Sequence, residues 1–77
     1  MGVIMFWIYG KDNCKFCEAA KLLLHTKNLP FAYIDVGVNP EWRDPSWKKV
    51  PQIFYVAHHI GGYMALEHYL ENEYESA

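Results

Sequence analysis

Two cysteines, Cys14 and Cys17, are the only thiols in the 77-residue chain. They follow an apolar run and open a segment with helical periodicity, so both should lie in the first turn of a helix. Residues three apart on a helix have β-carbons roughly 5–6 Å apart, which is within reach of a disulfide bond. The spacing therefore predicts a pair of thiols that can be oxidised and reduced reversibly.

The predicted position of Cys14 favours the thiolate form of its side chain. The N-terminal end of a helix carries partial positive charge, and Lys11 and Lys15 lie close by in the sequence. Both effects lower the pKa of a thiol, and the thiolate is the form that attacks a disulfide. A disulfide that encloses only two residues contributes little to stability. We therefore interpret the pair as reactive thiols in preference to inert core thiols.

A zinc site is the rival chemistry for this pair. Structural zinc needs four nitrogen or sulfur ligands, and only His25, His58, His59 and His68 could join the cysteines. Two of these histidines are adjacent, and the other two fall on predicted helices at spacings that match no common zinc pattern. We therefore expect no metal site.

Hydrophobic periodicity and turn residues predict the elements that must position the cysteines, in the order β-α-β-α-β-β-α. The predicted strands are residues 3–9, 31–36, 52–56 and 58–60, the first helix runs from Cys14 to stop signals at Asn28 and Pro30, and the last helix follows Gly61-Gly62. Residues 37–49 lack clear periodicity, although Pro40 to Arg43 suit a short helix. A β-α-β start requires a right-handed crossover. We therefore expect an α/β fold with a mixed four-stranded sheet and helices on both faces.

Composition indicates one globular domain over residues 1–77. The chain is 52% hydrophobic and 17% aromatic and has a formal net charge of −2, which gives no electrostatic reason to expect nucleic acid as a partner. The aromatic and basic residues 42–49 are better explained as a cover for a small core than as a binding surface for a partner protein or single-stranded nucleic acid. The longest apolar run is far shorter than the roughly 20 residues of a membrane helix, and no basic region precedes it as in a signal peptide. We expect a cytoplasmic monomer without nucleic-acid or membrane partners.

Three segments of the chain together resemble glutaredoxin, a family of the thioredoxin-fold superfamily. They are Lys11-x-x-Cys14-x-x-Cys17, Val50-Pro51-Gln52-Ile53-Phe54 and Ile60-Gly61-Gly62, in this order. The match spans nearly the whole chain, and the small size is similar to that of short glutaredoxins from bacteriophages and bacteria. The resemblance implies a minimal thioredoxin fold. It also implies a dithiol–disulfide oxidoreductase that has no tightly bound cofactor and uses glutathione as co-substrate.

The resemblance further implies roles for individual residues. Cys14 is implied as the exposed nucleophile and Cys17 as the thiol that resolves the mixed disulfide. The Val50–Pro51 peptide bond is implied to be cis and to face the cysteines. The implied substrate- and glutathione-binding residues are Lys11, Lys15, Phe16, Val50, Pro51, Gly61, Gly62 and Tyr63. Disulfide-containing proteins are the implied clients, with ribonucleotide reductase as the specific candidate.

The chain departs from the family pattern at positions that bear on glutathione binding. Lys15 stands where proline is usual and Lys49 where threonine is common, and Tyr63 and Met64 stand where an aspartate usually helps to hold the γ-glutamyl group. A redoxin that is reduced by thioredoxin reductase is therefore an alternative. A second alternative, from another class, is a thioredoxin-fold binding module that holds an iron–sulfur cluster between two chains through Cys14 and glutathione.

Overall fold

A computed structural model describes residues 4–74 and shows a mixed four-stranded sheet with two α-helices. The strands are β1 (Phe6–Gly10), β2 (Phe31–Asp35), β3 (Gln52–Tyr55) and β4 (His58–Gly61), and the helices are α1 (Lys15–Thr26) and α2 (Tyr63–Tyr69). The strand order is β2-β1-β3-β4, with β1 parallel to β2 and the other pairs antiparallel. The expected α/β fold is confirmed.

The observed ends of the elements lie close to the predicted ones. The expected strand start at Val3 lies outside the described residues, and β1 begins at Phe6. The last helix is not α-helical throughout. The α-helix α2 ends at Tyr69, and the chain continues as a π-helical segment, Leu70–Tyr74. Within the described part of the chain, no helix is long and apolar enough to span a membrane.

The helix predicted between β2 and β3 is a single turn of 3-10 helix, Pro40–Trp42. Proline occupies its first position, where the missing N–H costs nothing. This turn lies beside Tyr9 and Phe54 on the sheet face opposite α1 and α2. The expected helices on both faces are therefore two α-helices on one face and this short turn on the other.

Local sequence explains where α1 begins and ends. Asn13 adopts a left-handed conformation with φ of 57° directly before the helix, which asparagine tolerates better than most residues. The first intrahelical hydrogen bond runs from the Glu18 N–H to the Cys14 carbonyl oxygen, at 3.1 Å. At the other end, Asn28 has φ of 59° and its N–H donates to the carbonyl oxygen of His25 at 3.0 Å. An asparagine in this conformation commonly terminates a helix.

The core lies between one face of the sheet and the two α-helices. Phe6 and Ile8 alternate along β1 and are buried, and Ile8 lies opposite the buried Ile53 of β3. The helices complete the cluster with Ala20, Leu24 and Leu66, and Leu70 of the π-helical segment joins them. Removal of this apolar surface from water is the main force that holds α1, and with it the cysteines, against the sheet.

Aromatic side chains cover part of the opposite face of the sheet. The ring of Trp47 packs on Tyr9 and Phe54, with ring centroids 5.1 and 6.1 Å apart. The guanidinium of Arg43 donates a hydrogen bond to the Trp47 carbonyl oxygen at 2.9 Å and holds this loop in place. Trp47 therefore covers the sheet face opposite the core and not the core itself, and Trp42 is 59% exposed.

Candidate active site

The two cysteines lie at the N-terminal end of α1 and are joined by a disulfide, with their Cα atoms 5.2 Å apart. Cys14 is the N-cap residue, and its sulfur accepts a hydrogen bond from the Cys17 backbone N–H at 3.2 Å. A donor aimed at this sulfur favours the thiolate over the thiol. Cys14 is half-buried, whereas Cys17 is fully buried. An external thiol or disulfide can therefore reach Cys14 far more easily than Cys17.

The segment before β3 faces the cysteines. The Val50–Pro51 peptide bond is cis, and the carbonyl oxygen of Val50 lies 3.9 Å from the sulfur of Cys14. Pro51 is buried, and β3 begins at the next residue. The cis bond and its position beside the cysteines agree with the prediction.

A groove of about 290 Å³ lies beside the cysteines. It is lined by Phe16, Lys49, Val50, Pro51, Gln52, Gly62, Tyr63, Met64 and Ala65. The rings of Phe16 and Tyr63 stack with their centroids 6.0 Å apart and connect α1 to the start of α2. Because Val50 also contacts the sulfur of Cys14, a peptide-like molecule in this groove would pass next to the reactive atom.

The groove brings together most of the residues that the sequence implied for glutathione binding, namely Phe16, Val50, Pro51, Gly62 and Tyr63. Lys11, Lys15 and Gly61 do not line it. Lys15 is exposed at the first position of α1, and the backbone of Lys11 lies on the side of β2. Both lysines are therefore outside the groove itself.

Gly61 has a structural reason to be glycine. Its φ is +126°, a conformation that other residues rarely adopt, and a Cβ at this position would lie 3.1 Å from the Cβ of Ala65. The residue lets the chain turn from β4 into α2 and so places Gly62 and Tyr63 at the groove.

Phe16 lies in the groove wall and not in the core. Its place in the sequence is in register with the apolar positions of α1, but its side chain is 54% exposed. The buried stripe of the helix consists of Cys17, Ala20 and Leu24. Phe16 precedes the residue that faces the sheet, and its ring turns instead toward Tyr63.

Four further residues line the groove without a binding role having been predicted for them, namely Lys49, Gln52, Met64 and Ala65. Their adjacency to the Val50-Pro51 and Gly61-Gly62 motifs was the available signal. Among the described lining residues, Lys49 alone carries a charge. The groove therefore offers one cation and no carboxylate to a bound molecule.

Tyr33 shares the space beside Gly10 with the buried sulfur, and no role for it was predicted from the sequence. A Cβ built on Gly10 would lie 2.9 Å from the sulfur of Cys17 and 2.9 Å from Cζ of Tyr33, with the tyrosine hydroxyl closer still. Sulfur and phenol therefore flank the same point, and the absence of a side chain at Gly10 leaves room for both. The Tyr33 hydroxyl donates a hydrogen bond to the carbonyl oxygen of Lys11 at 3.2 Å.

Within residues 4–74, no three His, Cys, Asp or Glu side chains are grouped so that they could hold a metal ion. Three of the histidines that zinc would need have other contacts. His59 lies 2.6 Å from the side-chain oxygen of Gln52, His58 packs near the ring of Tyr69, and His68 contacts Asn72.

Comparison with known proteins shows the family of the chain. The glutaredoxin family model matches residues 6–60. The chain is 40% identical over 60 residues to glutaredoxin 3 of Escherichia coli K12, a match that covers 71% of this chain and 72% of the relative. The chain belongs to the glutaredoxin family. A glutaredoxin with an intact C-x-x-C pair is a thiol–disulfide oxidoreductase, and the geometry of Cys14 and Cys17 fits this activity.

Solved glutaredoxin structures share the fold of this glutaredoxin. The solution structure of glutaredoxin from Brucella melitensis superposes with a TM-score of 0.77 at 28% identity and covers 99% of this chain and 88% of that one. The buckwheat glutaredoxin–glutathione complex has a TM-score of 0.71 at 18% identity and covers 90% of this chain and 70% of that one. At the lower identity, the similarity concerns the fold alone.

Proposed function

We propose that this glutaredoxin is a glutathione-dependent dithiol oxidoreductase that reduces protein disulfides and glutathione mixed disulfides. The observation that carries the proposal is the groove lined by Val50, whose carbonyl oxygen lies 3.9 Å from the sulfur of the half-buried Cys14. A groove of about 290 Å³ is of the right order for part of a tripeptide. The buckwheat protein with the same fold forms a complex with glutathione.

The greater exposure of Cys14 supports the following order of chemical steps. The Cys14 thiolate attacks the client disulfide, and one client sulfur leaves as a thiolate that takes a proton from water. The Cys17 thiol then loses its proton and attacks the sulfur of Cys14, which releases the second client thiol. Two glutathione molecules return the electrons. The first attacks the sulfur of Cys14, which breaks the Cys14–Cys17 disulfide, frees the Cys17 thiol and forms a mixed disulfide with Cys14. The second attacks the glutathione sulfur of that mixed disulfide, which restores the Cys14 thiolate and releases oxidised glutathione.

The groove contributes attraction and orientation. Glutathione carries two carboxylates and one ammonium group, so its net charge at neutral pH is negative. Lys49 is placed to attract a carboxylate, and Phe16 and Tyr63 offer an apolar wall. Lys11 and Lys15 lie outside the groove, and we assign them to longer-range attraction of the same negative charge.

Clients and cellular context are proposed from the family resemblance. Disulfide-containing proteins are the clients, and ribonucleotide reductase is the specific candidate. A monomer in the cytoplasm, or in the host cytoplasm if a phage encodes it, is the proposed setting. The rivals are reduction by thioredoxin reductase and iron–sulfur binding through Cys14.

The experiment that tests glutathione dependence compares two reductants. The oxidised protein is supplied either with glutathione, glutathione reductase and NADPH or with thioredoxin reductase and NADPH, and turnover of a glutathionylated peptide is followed. We expect turnover with glutathione. Reduction by thioredoxin reductase alone would overturn the proposal, and visible absorbance of the purified protein would instead indicate an iron–sulfur module.

Replacement of Met64 by aspartate is expected to strengthen glutathione binding. Met64 is 73% exposed, so the change removes little packing. It adds to the groove wall a carboxylate that can pair with the ammonium of glutathione. A solvent-exposed pair of this kind contributes up to about 1 kcal/mol, so we expect the KM for glutathione to fall about two- to fivefold.

Met64→Asn is the matched control, since asparagine has nearly the same shape as aspartate but carries no charge. It should leave the KM for glutathione unchanged. Single-turnover oxidation of the reduced protein by 2-hydroxyethyl disulfide, which has no ammonium group and requires no glutathione, should be unaffected in both variants. An equal gain with that reagent would mean that the aspartate acts on Cys14 and not on glutathione.

A further inference from the structure

The buried sulfur of Cys17 and the phenol of Tyr33 flank the same point beside Gly10. The point where a Gly10 side chain would begin is 2.9 Å from this sulfur, and the hydroxyl of Tyr33 is closer to the same point. Tyr33 comes from β2 and Cys17 from α1, so residues of two elements approach each other at the end of β1. Because Gly10 has no side chain, the Tyr33 hydroxyl and the resolving thiol share the space beside it.

The ring of Tyr33 is held in this position from two sides. It packs against the edge of the hydrophobic core, and the ammonium of Lys21 lies 4.3 Å from its centroid. Lys21 in turn forms an ion pair with Glu18 at 3.0 Å. A cation over the face of an aromatic ring attracts it, so α1 itself fixes the ring beside its own first turn.

In the disulfide form, the Tyr33 hydroxyl donates to a neutral acceptor, which a stronger acceptor can replace. It donates to the carbonyl oxygen of Lys11 at 3.2 Å, at the long end of hydrogen-bond distances. A hydroxyl proton rotates to suit the acceptor, and ionised acceptors form hydrogen bonds about twice as strong as neutral ones. We propose that Tyr33 turns its proton to the Cys17 thiolate when that thiolate forms, and that it thereby speeds resolution of the mixed disulfide.

Cys17 needs such a partner because of its burial. A fully buried thiol ionises less readily than an exposed one, and only the thiolate attacks. In the resolving step, the Cys17 thiol gives its proton to solvent and the thiolate attacks the sulfur of Cys14. The bond between Cys14 and the client sulfur breaks, and the client leaves as a thiolate. Tyr33 keeps its proton throughout and acts as a positioning residue and hydrogen-bond donor.

The electrostatic surroundings of Tyr33 keep the phenol protonated. Its pKa is raised first by burial and then by the carboxylates of Glu18, Asp35 and Asp12. The phenol therefore adds no negative charge beside Cys17 at neutral pH. The cations on the neighbouring elements are Lys21 on α1 and Lys11 in the loop after β1.

Tyr33→Phe removes the hydroxyl and keeps the ring. Reduced protein is mixed with saturating 2-hydroxyethyl disulfide, and the reaction is stopped with acid. Mass spectrometry then separates the mixed disulfide on Cys14 from the Cys14–Cys17 disulfide. A lost hydrogen bond to an ion lowers the thiolate fraction about 10- to 100-fold, but the remaining thiolate is more nucleophilic. We therefore expect resolution about three- to tenfold slower, with its apparent pKa raised by about one unit or more.

Two controls separate this role from a general loss of structure. In a Cys17→Ser background, Tyr33→Phe should leave the attack by Cys14 unchanged. Tyr69→Phe, which removes the hydroxyl of a half-buried tyrosine next to Tyr55 and His58, should leave resolution unchanged. Equal slowing of both steps, or an unchanged resolution rate and pKa, would overturn the proposal. The proposal rests on the oxidoreductase activity, and because no glutathione is used, its failure would leave the proposed glutathione dependence standing.

Discussion

Replacement of Cys14 by serine is expected to lower turnover of a glutathionylated peptide by at least about 10³-fold, because the alcohol is hardly ionised at neutral pH and cannot replace a thiolate nucleophile. The remaining sulfur does not compensate, since Cys17 is fully buried. The measurement is turnover with glutathione, glutathione reductase and NADPH. A circular dichroism spectrum like that of the reduced wild-type protein would show that the loss is chemical.

Cys17→Ser is the matched control, because it removes the second sulfur and keeps the nucleophile. Glutathione can still release a glutathione mixed disulfide from Cys14, so turnover of the glutathionylated peptide should persist. Reduction of a protein disulfide should stall at a mixed disulfide with the client, which gel electrophoresis without reductant would reveal. If Cys17→Ser lost as much turnover as Cys14→Ser, the assignment of nucleophile and resolving thiol would be wrong.

The elements that local sequence predicts well are those whose residues decide their own conformation. The continuous apolar run that contains β1 has the length of a buried strand and is too short for a buried helix. Asn28 both ends the apolar period of α1 and accepts the left-handed backbone with φ of 59°. For the same reason the C-x-x-C pair could be placed at a helix start, since the turn at Asn13 and the N-cap at Cys14 are both local features.

Strand β2 shows where local reasoning stops. Its alternation predicts that Ala32, Ile34 and Val36 share a face, which leaves open which face meets the core. In the structure Ala32 and Ile34 lie opposite Trp7 and Tyr9 of β1, on the face away from α1 and α2. The side facing α1 carries Phe31 and Tyr33, which pack against the core. Pairing with β1 decides this choice, and no signal within β2 itself reveals it.

The candidate site likewise contains residues that local sequence predicts and residues that it does not. Motifs adjacent in sequence gave Cys14, Cys17 and the Val50–Pro51 segment. The groove wall formed by Phe16 and Tyr63 depends on how α1 and α2 pack against each other, with their ring centroids 6.0 Å apart. Tyr33 and Cys17 share the space beside Gly10 only because β1 and β2 are parallel neighbours and Gly10 carries no side chain. Contacts of this kind require the register of the sheet, which periodicity does not supply.

Gly10→Ala is expected to destabilise the oxidised protein by about 1–3 kcal/mol, the usual cost of an extra methyl group in a packed site. The new Cβ would lie 2.9 Å from the Cys17 sulfur and closer to the Tyr33 hydroxyl, so one of the two must move. The disulfide restrains the sulfur, and the ring is held by its core contacts and by Lys21. Urea unfolding followed by tryptophan fluorescence measures the loss.

Gly37→Ala is the control for the methyl group itself. A Cβ there would lie 3.1 Å from an Asp35 carboxylate oxygen, but the position is exposed and the neighbour can move. The free energy of unfolding should then change by no more than about 0.5 kcal/mol. An equal loss in both alanine variants would show that the cost arises from the backbone or the unfolded chain and not from crowding at the disulfide.

A double variant tests whether the Tyr33 hydroxyl is the group that a methyl at position 10 displaces. Addition of Tyr33→Phe to Gly10→Ala removes the closest colliding atom, so part of the lost stability should return. Residues in contact show coupling energies of about 0.5–3 kcal/mol in such a cycle. Recovery should stay incomplete, because the ring carbon and the Cys17 sulfur would each still lie 2.9 Å from the new methyl group. Simple additivity of the two changes would mean that the methyl group displaces the disulfide and leaves the phenol in place. In that case Gly10→Ala would impair resolution by moving Cys17 itself, even where the Tyr33 hydroxyl has been removed.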